Sequence, residues 1–320
     1  MIVLYLKSLN KVIRDPEAKL FEELGYDDLL WIDLLKPTPK ERKIVEEFME
    51  IDLQTRQQIE EIETSSRYSE SENAIICNSS FIVTSKDDVA GYRSEPVSFI
   101  ISEGVLVSVR GVELKTFEEA SRKLQINYRS YTTGYHVLIS ILEARIDLDA
   151  DMVETLSKQI ATVNVSDKDV DKSVDKEILI LINNLQESMM LLRETIFDRQ
   201  RLLSGIQRSE RFPNDIYPRV AIMLKDIGSL LNHADFSFER LEFLQDTFMG
   251  LINIEQNKII KMFTVLSVVF MPPTLIASIY GMNFRIMPEL DWEQGYLYSI
   301  ILMIASMAII IGFFKRKKWL

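Results

Sequence analysis

Residues 280–284, Tyr280-Gly281-Met282-Asn283-Phe284, and the Met287-Pro288-Glu289-Leu290 that follows two residues later decide how the rest of the chain is read. They lie between two segments apolar enough to cross a bilayer. No charged side chain occurs from Met262 to Phe284, nor from Gln294 to Phe314. Each run exceeds the roughly 20 residues that a helix needs to span a hydrocarbon core about 30 Å thick. The residues between them, 285–293, are too few to fold alone and must turn the chain back. That turn carries Arg285 against Glu289, Asp291 and Glu293. Lys258 and Lys261 precede the first span, and Lys315, Arg316, Lys317 and Lys318 follow the second. By the positive-inside rule both chain ends face the cytoplasm and the acidic turn lies outside.

This layout, with a YGMNF closing the first of two C-terminal spans, an MPEL turn and a Lys-rich end finishing in Lys-Trp-Leu, resembles the CorA family of magnesium channels. The resemblance is close over roughly the last 75 residues and agrees in layout elsewhere. It implies a homopentamer in the cytoplasmic membrane that carries Mg2+, allows Co2+ as a further ion, and closes when its cytoplasmic domain senses Mg2+. It also implies roles for particular residues. Gly281, Met282 and Asn283 form the selectivity filter, with Asn283 as the outer ring. Met271 and Thr274 line the pore around the helix proline, and Asn257 and Asp246 line it further in. Two departures stand out: Phe263 occupies the hydrophobic constriction where the family often has leucine, and Pro273 follows Pro272.

Charge is unevenly spread. Residues 246–320 hold seven Lys/Arg and five Asp/Glu, so of the total charge of −11 the first 245 residues carry −13. Such a region repels phosphate backbones and argues against nucleic acid as a partner, while it suits contact with cations. The single cysteine, Cys77, excludes an internal disulfide and agrees with a reducing cytosol. Met1 to Leu6 is too short for a signal-peptide core. There is no phosphate loop, HExxH or nucleophile elbow, and no nucleophile–base set, so an enzyme is not expected. His136 and His233 with one cysteine do not make a zinc site.

Residues 1–130 alternate between β-branched runs and helical patterns. Ile2–Leu6, Leu29–Leu34, Ala74–Thr84, Pro96–Ser102 and Val105–Arg110 are expected strands. Pro39–Met49 and Phe117–Leu124 are expected helices, and Ser102-Glu103-Gly104 a hairpin turn. The expectation is an α+β cytoplasmic domain with a mixed sheet. Residues 131–212 turn helical, with Val137, Ile141, Leu148, Met152, Leu156 and Ile160 on one stripe and Val174 to Ile206 on another. Val165-Ser166-Asp167 is the expected turn of this antiparallel pair. The acidic run from Asp167 fails as a calcium loop, since Lys172 and Ile178 stand where glycine and the bidentate glutamate are needed.

Pro218 suits the first turn of a new helix, and no proline follows until Pro272. A helix from Pro218 to Tyr280 would be about 90 Å long. Met223, Ile227, Leu230, Ala234, Phe238, Leu241, Leu244, Phe248 and Leu251 keep an apolar face along it, which calls for neighbouring copies to cover it. The stalk is thus 213–261, the first span 262–284, the external loop 285–293, the second span 294–314 and the basic tail 315–320.

A second stripe runs down the same helix. Steps of three or four residues from Asp246 land on Gly250, Asn253, Asn257, Ile260, Thr264, Ser267, Met271, Thr274 and Ser278. Small and hydroxyl residues also serve close packing of membrane helices. Asp246, Asn253 and Asn257 on one face instead need water or one another, which favours a pore. Mg2+ sheds water reluctantly, and a ring of neutral amide oxygens can bond its hydration shell without trapping the ion. Ile260, Phe263 and Met271 form an apolar girdle able to gate by dewetting, and Glu289, Asp291 and Glu293 gather cations outside.

For regulation the resemblance implies Mg2+ bridging carboxylates of adjacent subunits. Asp87 and Asp88, after the strand ending at Thr84, fit one side; Asp226 is the nearest stalk carboxylate for the other. The same architecture could carry Co2+, Ni2+ or Zn2+, but the intact MPEL turn favours magnesium. A non-conducting membrane-tethered scaffold or sensor fits the stalk and anchor, yet leaves Asp246, Asn253 and Asn257 unexplained.

Overall fold

The structure is a computed structural model that describes the chain except residues 8–10, 62–66, 86–90, 164–171, 284, 286 and 318–320, and gives the backbone alone at 60, 61, 172–175, 289 and 290. It divides into two compact units, Met1–Gln245 and Asp246–Leu320.

The first unit is built on a seven-stranded sheet. Its strands are β1 (Ile2–Leu6), β2 (Val12–Arg14), β3 (Leu29–Leu35), β4 (Tyr68–Glu70), β5 (Ile75–Thr84), β6 (Tyr92–Ser102) and β7 (Val105–Arg110), in the order β2-β1-β3-β7-β6-β5-β4. β3 and β7 pair in parallel and all other neighbours are antiparallel, so the sheet is mixed, as expected. Glu103 and Gly104 both have positive φ, 48° and 75°, in the two-residue turn joining β6 to β7. The helices around the sheet are α1 (Ala18–Glu23), α2 (Pro39–Met49), α3 (Arg56–Glu61) and α4 (Lys115–Ile126). Thr38 starts α2 with a full capping box: its hydroxyl accepts from the Glu41 amide, and Glu41 accepts from the Thr38 amide.

Both faces of the sheet are covered. On one, α2 packs its Val45 and Met49 over Ile2, Leu4, Ile32, Leu34 and Val107. On the other, α4, α5 (Gly134–Thr162), α6 (Lys172–Arg208) and the beginning of α7 (Tyr217–Tyr280) form one continuous core with Trp31, Phe81, Phe99 and Phe117. α5 is buried nearly all round from His136 to Ile146 because it lies between the sheet and the other helices. The stripe expected on α6 holds from Leu185 to Ile206, but Leu181 is exposed and Ile182 is buried in its place. The turn expected at Val165-Ser166-Asp167, with the acidic run at Asp167, lies outside the described residues.

One expectation needs correcting. The apolar face of α7 does not wait for another copy within this unit. Val220, Met223, Ile227, Ala234 and Leu241 are buried in the chain's own core. Ser157 of α5 meets Ser237 at 2.9 Å, and Gln186 of α6 donates to Gln245 at 3.1 Å. What α7 leaves uncovered here is the opposite face, with Ile222, Phe236 and Phe243 exposed.

Charge is buried at two places. Asp33 on β3 stands in register with Ser108 of β7, and Arg110 two residues on reaches it at 2.8 Å, while Ser108 donates to the same carboxylate. Between α5, α6 and β5, Asp149 holds both Arg145 and the fully buried Arg199, whose guanidinium is 2.7 Å from it. The guanidinium groups also donate to the Ile82 and Ser80 carbonyls and flank the Phe81 ring. Burial pushes Arg199 down to about 10, opposed by the Asp149 charge. Removing one member of a buried ion cluster leaves an uncompensated charge in a dry site and costs about 3–5 kcal/mol. Asp149→Ala should therefore lower stability by about that amount, checked by denaturant unfolding of the purified protein; a loss under about 1 kcal/mol would mean the cluster is wet.

Candidate pore and membrane segment

In the second unit the rest of α7 and α8 (Gly295–Arg316) are the two helices long and apolar enough to cross a membrane. They pack through a narrow contact: Val265 and Val269 of α7 are buried with Phe314 of α8, and Val268, Met307 and Ile310 close around them. α7 continues unbroken through Pro272 and Pro273, which are half-buried. Neither proline offers an amide to the carbonyls of Val268 and Val269 four residues earlier.

The polar stripe avoids this contact. Asp246, Gly250, Asn253, Asn257, Ile260, Phe263, Thr264, Ser267, Met271, Thr274 and Ser278 are all exposed in the single chain. Taking about 100° per residue, the positions from Ile260 to Ser278 lie roughly 100–180° round the helix from the Val265–Val269 seam. Ile260 and Met271 are 61% and 65% exposed. Thr264 and Thr274 donate back to the Ile260 and Phe270 carbonyls at 2.8 Å, so their hydroxyl oxygens keep acceptor capacity toward the open side. Phe263 also borders an apolar cleft of about 560 Å³ shared with Leu266, Lys261 and Ile311.

At the far end α7 stops at Tyr280, and the amides of Gly281 and Met282 close on the Ala277 and Ile279 carbonyls at 2.9 and 3.2 Å. A Cβ at Gly281 would sit 3.0 Å from the Ala277 carbonyl oxygen, so glycine gives the last turn its closeness. Met282 and Asn283 are exposed, and Phe284 is outside the described residues. Pro288–Asp291 form a short 3-10 turn, with Asp291 and Glu293 exposed; of Glu289 only the backbone is described. Trp292, Tyr296 and Tyr298 are exposed at this same end, Trp292 tilted against Tyr298 at 5.6 Å. Such rings favour the membrane–water boundary, and the sequence around the turn already carries that signal.

The regulatory candidates are not brought together here. Asp226 is exposed on α7 within the first unit, and Asp87 and Asp88 lie outside the described residues. Among the described residues no three carboxylate, histidine or cysteine groups gather to hold a metal ion.

A mixed α+β unit followed by a long helix and a second helix, both apolar enough to cross a membrane, with a polar stripe away from their contact, is the layout of the two-span class of transport proteins. The chain belongs to the CorA-like Mg2+ transporter protein family, whose model matches residues 26–316. It is 37% identical to the magnesium transport protein CorA of Wolinella succinogenes, with both chains fully covered. Against the magnesium transport protein CorA of Campylobacter jejuni, strain RM1221, identity is 33%, again over the whole of both. The fold agrees with the complete structure of the CorA magnesium transporter from Methanocaldococcus jannaschii, with a TM-score of 0.80 at 18% identity, covering 100% of this chain and 99% of that one.

The placement of the stripe can be tested with cysteines. The one native thiol, Cys77, is buried, and burial pushes its pKa upward, so it contributes little background. Ser267→Cys and Thr274→Cys in the purified, assembled protein should react with a water-soluble thiol reagent, whereas Val269→Cys should not. Equal labelling at Thr274 and Val269 would contradict the arrangement.

Proposed function

We propose that this chain is the subunit of a homopentameric channel that admits Mg2+ across the cytoplasmic membrane. The observation that carries this reading is the exposed polar stripe on α7 in a chain that belongs to a Mg2+ transporter family. Asp246, Asn253 and Asn257 on the stalk continue, on the same face, the Thr264, Ser267, Thr274 and Ser278 of the span, and groups of this kind at a membrane boundary favour a pore. Five copies, each turning this face toward a common axis, would give these groups water and one another. The number five rests on the family resemblance, and the names of the relatives support magnesium as cargo.

In this reading residues 1–130 and 131–212 are cytoplasmic, 213–261 form the stalk and 262–284 line the pore. Residues 285–293 turn outside, 294–314 return, and 315–320 end in the cytoplasm. Gly281, Met282 and Asn283 make the outer filter, where Asn283 bonds the hydration shell of the ion. Ile260, Phe263 and Met271 close the pore by excluding water, and Glu289, Asp291 and Glu293 raise the cation concentration outside. The membrane potential supplies about 2.3 kcal/mol per charge per 100 mV for inward movement, so the channel needs a brake. Asp87, Asp88 and Asp226 are the candidates for cytoplasmic Mg2+ that holds the closed state. Co2+ is a further ion the same path would admit, and the opposing readings remain a Ni2+ or Zn2+ pathway and a non-conducting sensor.

Proteoliposomes separate these readings. The wild-type protein should admit Mg2+ in preference to Ni2+ and Zn2+, and Asn283→Ala should lose most of that flux while still assembling. Wild-type flux and ion preference in an assembled Asn283→Ala protein would remove the filter role. The Phe263→Ala/Met271→Ala protein should leak more Mg2+ when internal Mg2+ is high; an unchanged leak places the gate elsewhere. Changing Asp87, Asp88 and Asp226 together to asparagine should raise the internal Mg2+ needed for closure, and closure at the original concentration would exclude them as the sensor.

A further inference from the structure

The sheet contains one parallel pair, β3 and β7, and the helices that follow these two strands go to opposite faces. α2 packs in the core with Ile2 and Leu34, and α4, through its Phe117, in the core with Trp31 and Phe81. Neighbouring parallel strands whose connections leave in opposite directions open a crevice outside their carboxyl ends, the position where open α/β sheets bind ligands. Here β6 deepens it. β7 ends at Arg110, opposite Val97, while β6 extends back to Tyr92, so Glu95 and Pro96 form a wall with no β7 residue beside them. The resulting cleft has a volume of about 180 Å³.

Its lining is cationic in a region whose net charge is −13. Lys36, Arg42, Arg56 and Arg110 border it, against the single carboxylate of Glu95. Arg110 is matched by Asp33, and Glu95 is matched by Arg56 at 3.3 Å and Arg93 at 3.0 Å. Lys36 and Arg42 have no carboxylate partner among the described residues; Arg42 donates to the Leu53 carbonyl at 2.6 Å. Lys36 adopts a φ of 46°, a left-handed backbone unusual for lysine, fixed by its amide donating to the Arg110 carbonyl at 2.9 Å. Glu95 is 2% exposed, and its Oε2 accepts no hydrogen bond among the described residues. The Arg56 guanidinium is 3.3 Å from this oxygen but outside hydrogen-bond geometry. A buried carboxylate oxygen still open to a donor thus stands beside two cations, Lys36 and Arg42, that have no carboxylate among the described residues, which describes half of a ligand's contacts.

We propose that this cleft binds a phosphate group. The oxyanion sits against Lys36, Arg42 and Arg56, and Glu95 Oε2 accepts a hydrogen bond from a hydroxyl of the same molecule. Guanidinium groups suit this task because their planar N–H pairs match phosphate oxygens. The phosphate is either free orthophosphate, whose own hydroxyl meets Glu95, or the ester of a small polyol. The site is separate from the proposed pore and does not depend on conduction.

Equilibrium dialysis of the purified full-length protein against labelled orthophosphate, with calorimetry for ribose 5-phosphate and ribose, tests this. Saturable binding of one phosphate per chain is expected. Lys36→Gln and Arg42→Gln should each weaken it about tenfold or more, the loss of one charge-assisted contact. Arg42 also holds Leu53, so Lys36→Gln provides the arm that is independent of folding, checked by an unchanged thermal melt. Ribose 5-phosphate binding more tightly than orthophosphate, with ribose inert, identifies an ester; the reverse order identifies free phosphate. No saturable binding up to about 10 mM, or binding unaltered in both variants, overturns the proposal. Equal displacement by chloride at constant ionic strength also overturns it.

Discussion

A membrane helix with carboxamide, carboxylate and hydroxyl groups on one side and a valine seam on the other has its orientation set by solvation. The seam of Val265 and Val269 can meet α8 because hydrocarbon against hydrocarbon costs nothing there. The opposite side carries Thr264, Ser267, Thr274 and Ser278 along the span and Asn257, Asn253 and Asp246 below it, a face that is exposed in the single chain. The one helix that could shield it within the chain, α8, is engaged on the other face. Water and further copies of α7 are what the proposed channel would set against this face.

The first unit answers a different problem. A strongly acidic domain has to bury enough apolar surface on both faces of one sheet to hold α5, α6 and the start of α7 in place. It does so with an aromatic cluster around Phe117 and two internal charge groups, Asp33–Arg110 and Asp149–Arg145–Arg199. Paired in this way, the charges specify where β3 meets β7 and where α5 meets α6, since any shift would strand a guanidinium in a dry core. The His136 ring, bonded to Asp215 at 2.9 Å, similarly ties the start of α5 to the segment leading into α7 and holds the Asp215 carboxyl below its usual range.

Much of this was legible in the sequence because period and charge speak clearly in long elements. β1 and α2 match their expected bounds, α7 begins one residue early, and the two helices apolar enough to cross a membrane cover most of the uncharged runs, α7 ending at Tyr280. Short elements were missed: β2, β4, α1 and α3 have too few residues to display a period. The strand expected from Pro96 starts four residues earlier, at Tyr92, with Pro96 in its interior. At Pro96 β6 is paired with β5 alone, since β7 ends opposite Val97, and proline is found on strands with such an open edge. The apolar face of α7 was legible but its partner was not, because periodicity reports that a face is covered and not by whom. Arg145, Asp149 and Arg199 gave no signal of burial, since single charged residues on helices are ordinarily solvated. For the pore candidates, the sequence supplied the stripe, and the structure adds that α8 leaves it open.

The central claim is that this open stripe is the path the ion takes. Its most direct test is Mg2+ influx through Thr274→Cys protein in liposomes, measured while a bulky water-soluble thiol reagent progressively labels that position. If the stripe lines the path, influx falls in step with labelling, and the same reagent leaves the wild-type protein, whose Cys77 is buried, unaffected. Complete labelling of Thr274→Cys with undiminished Mg2+ influx would contradict the account.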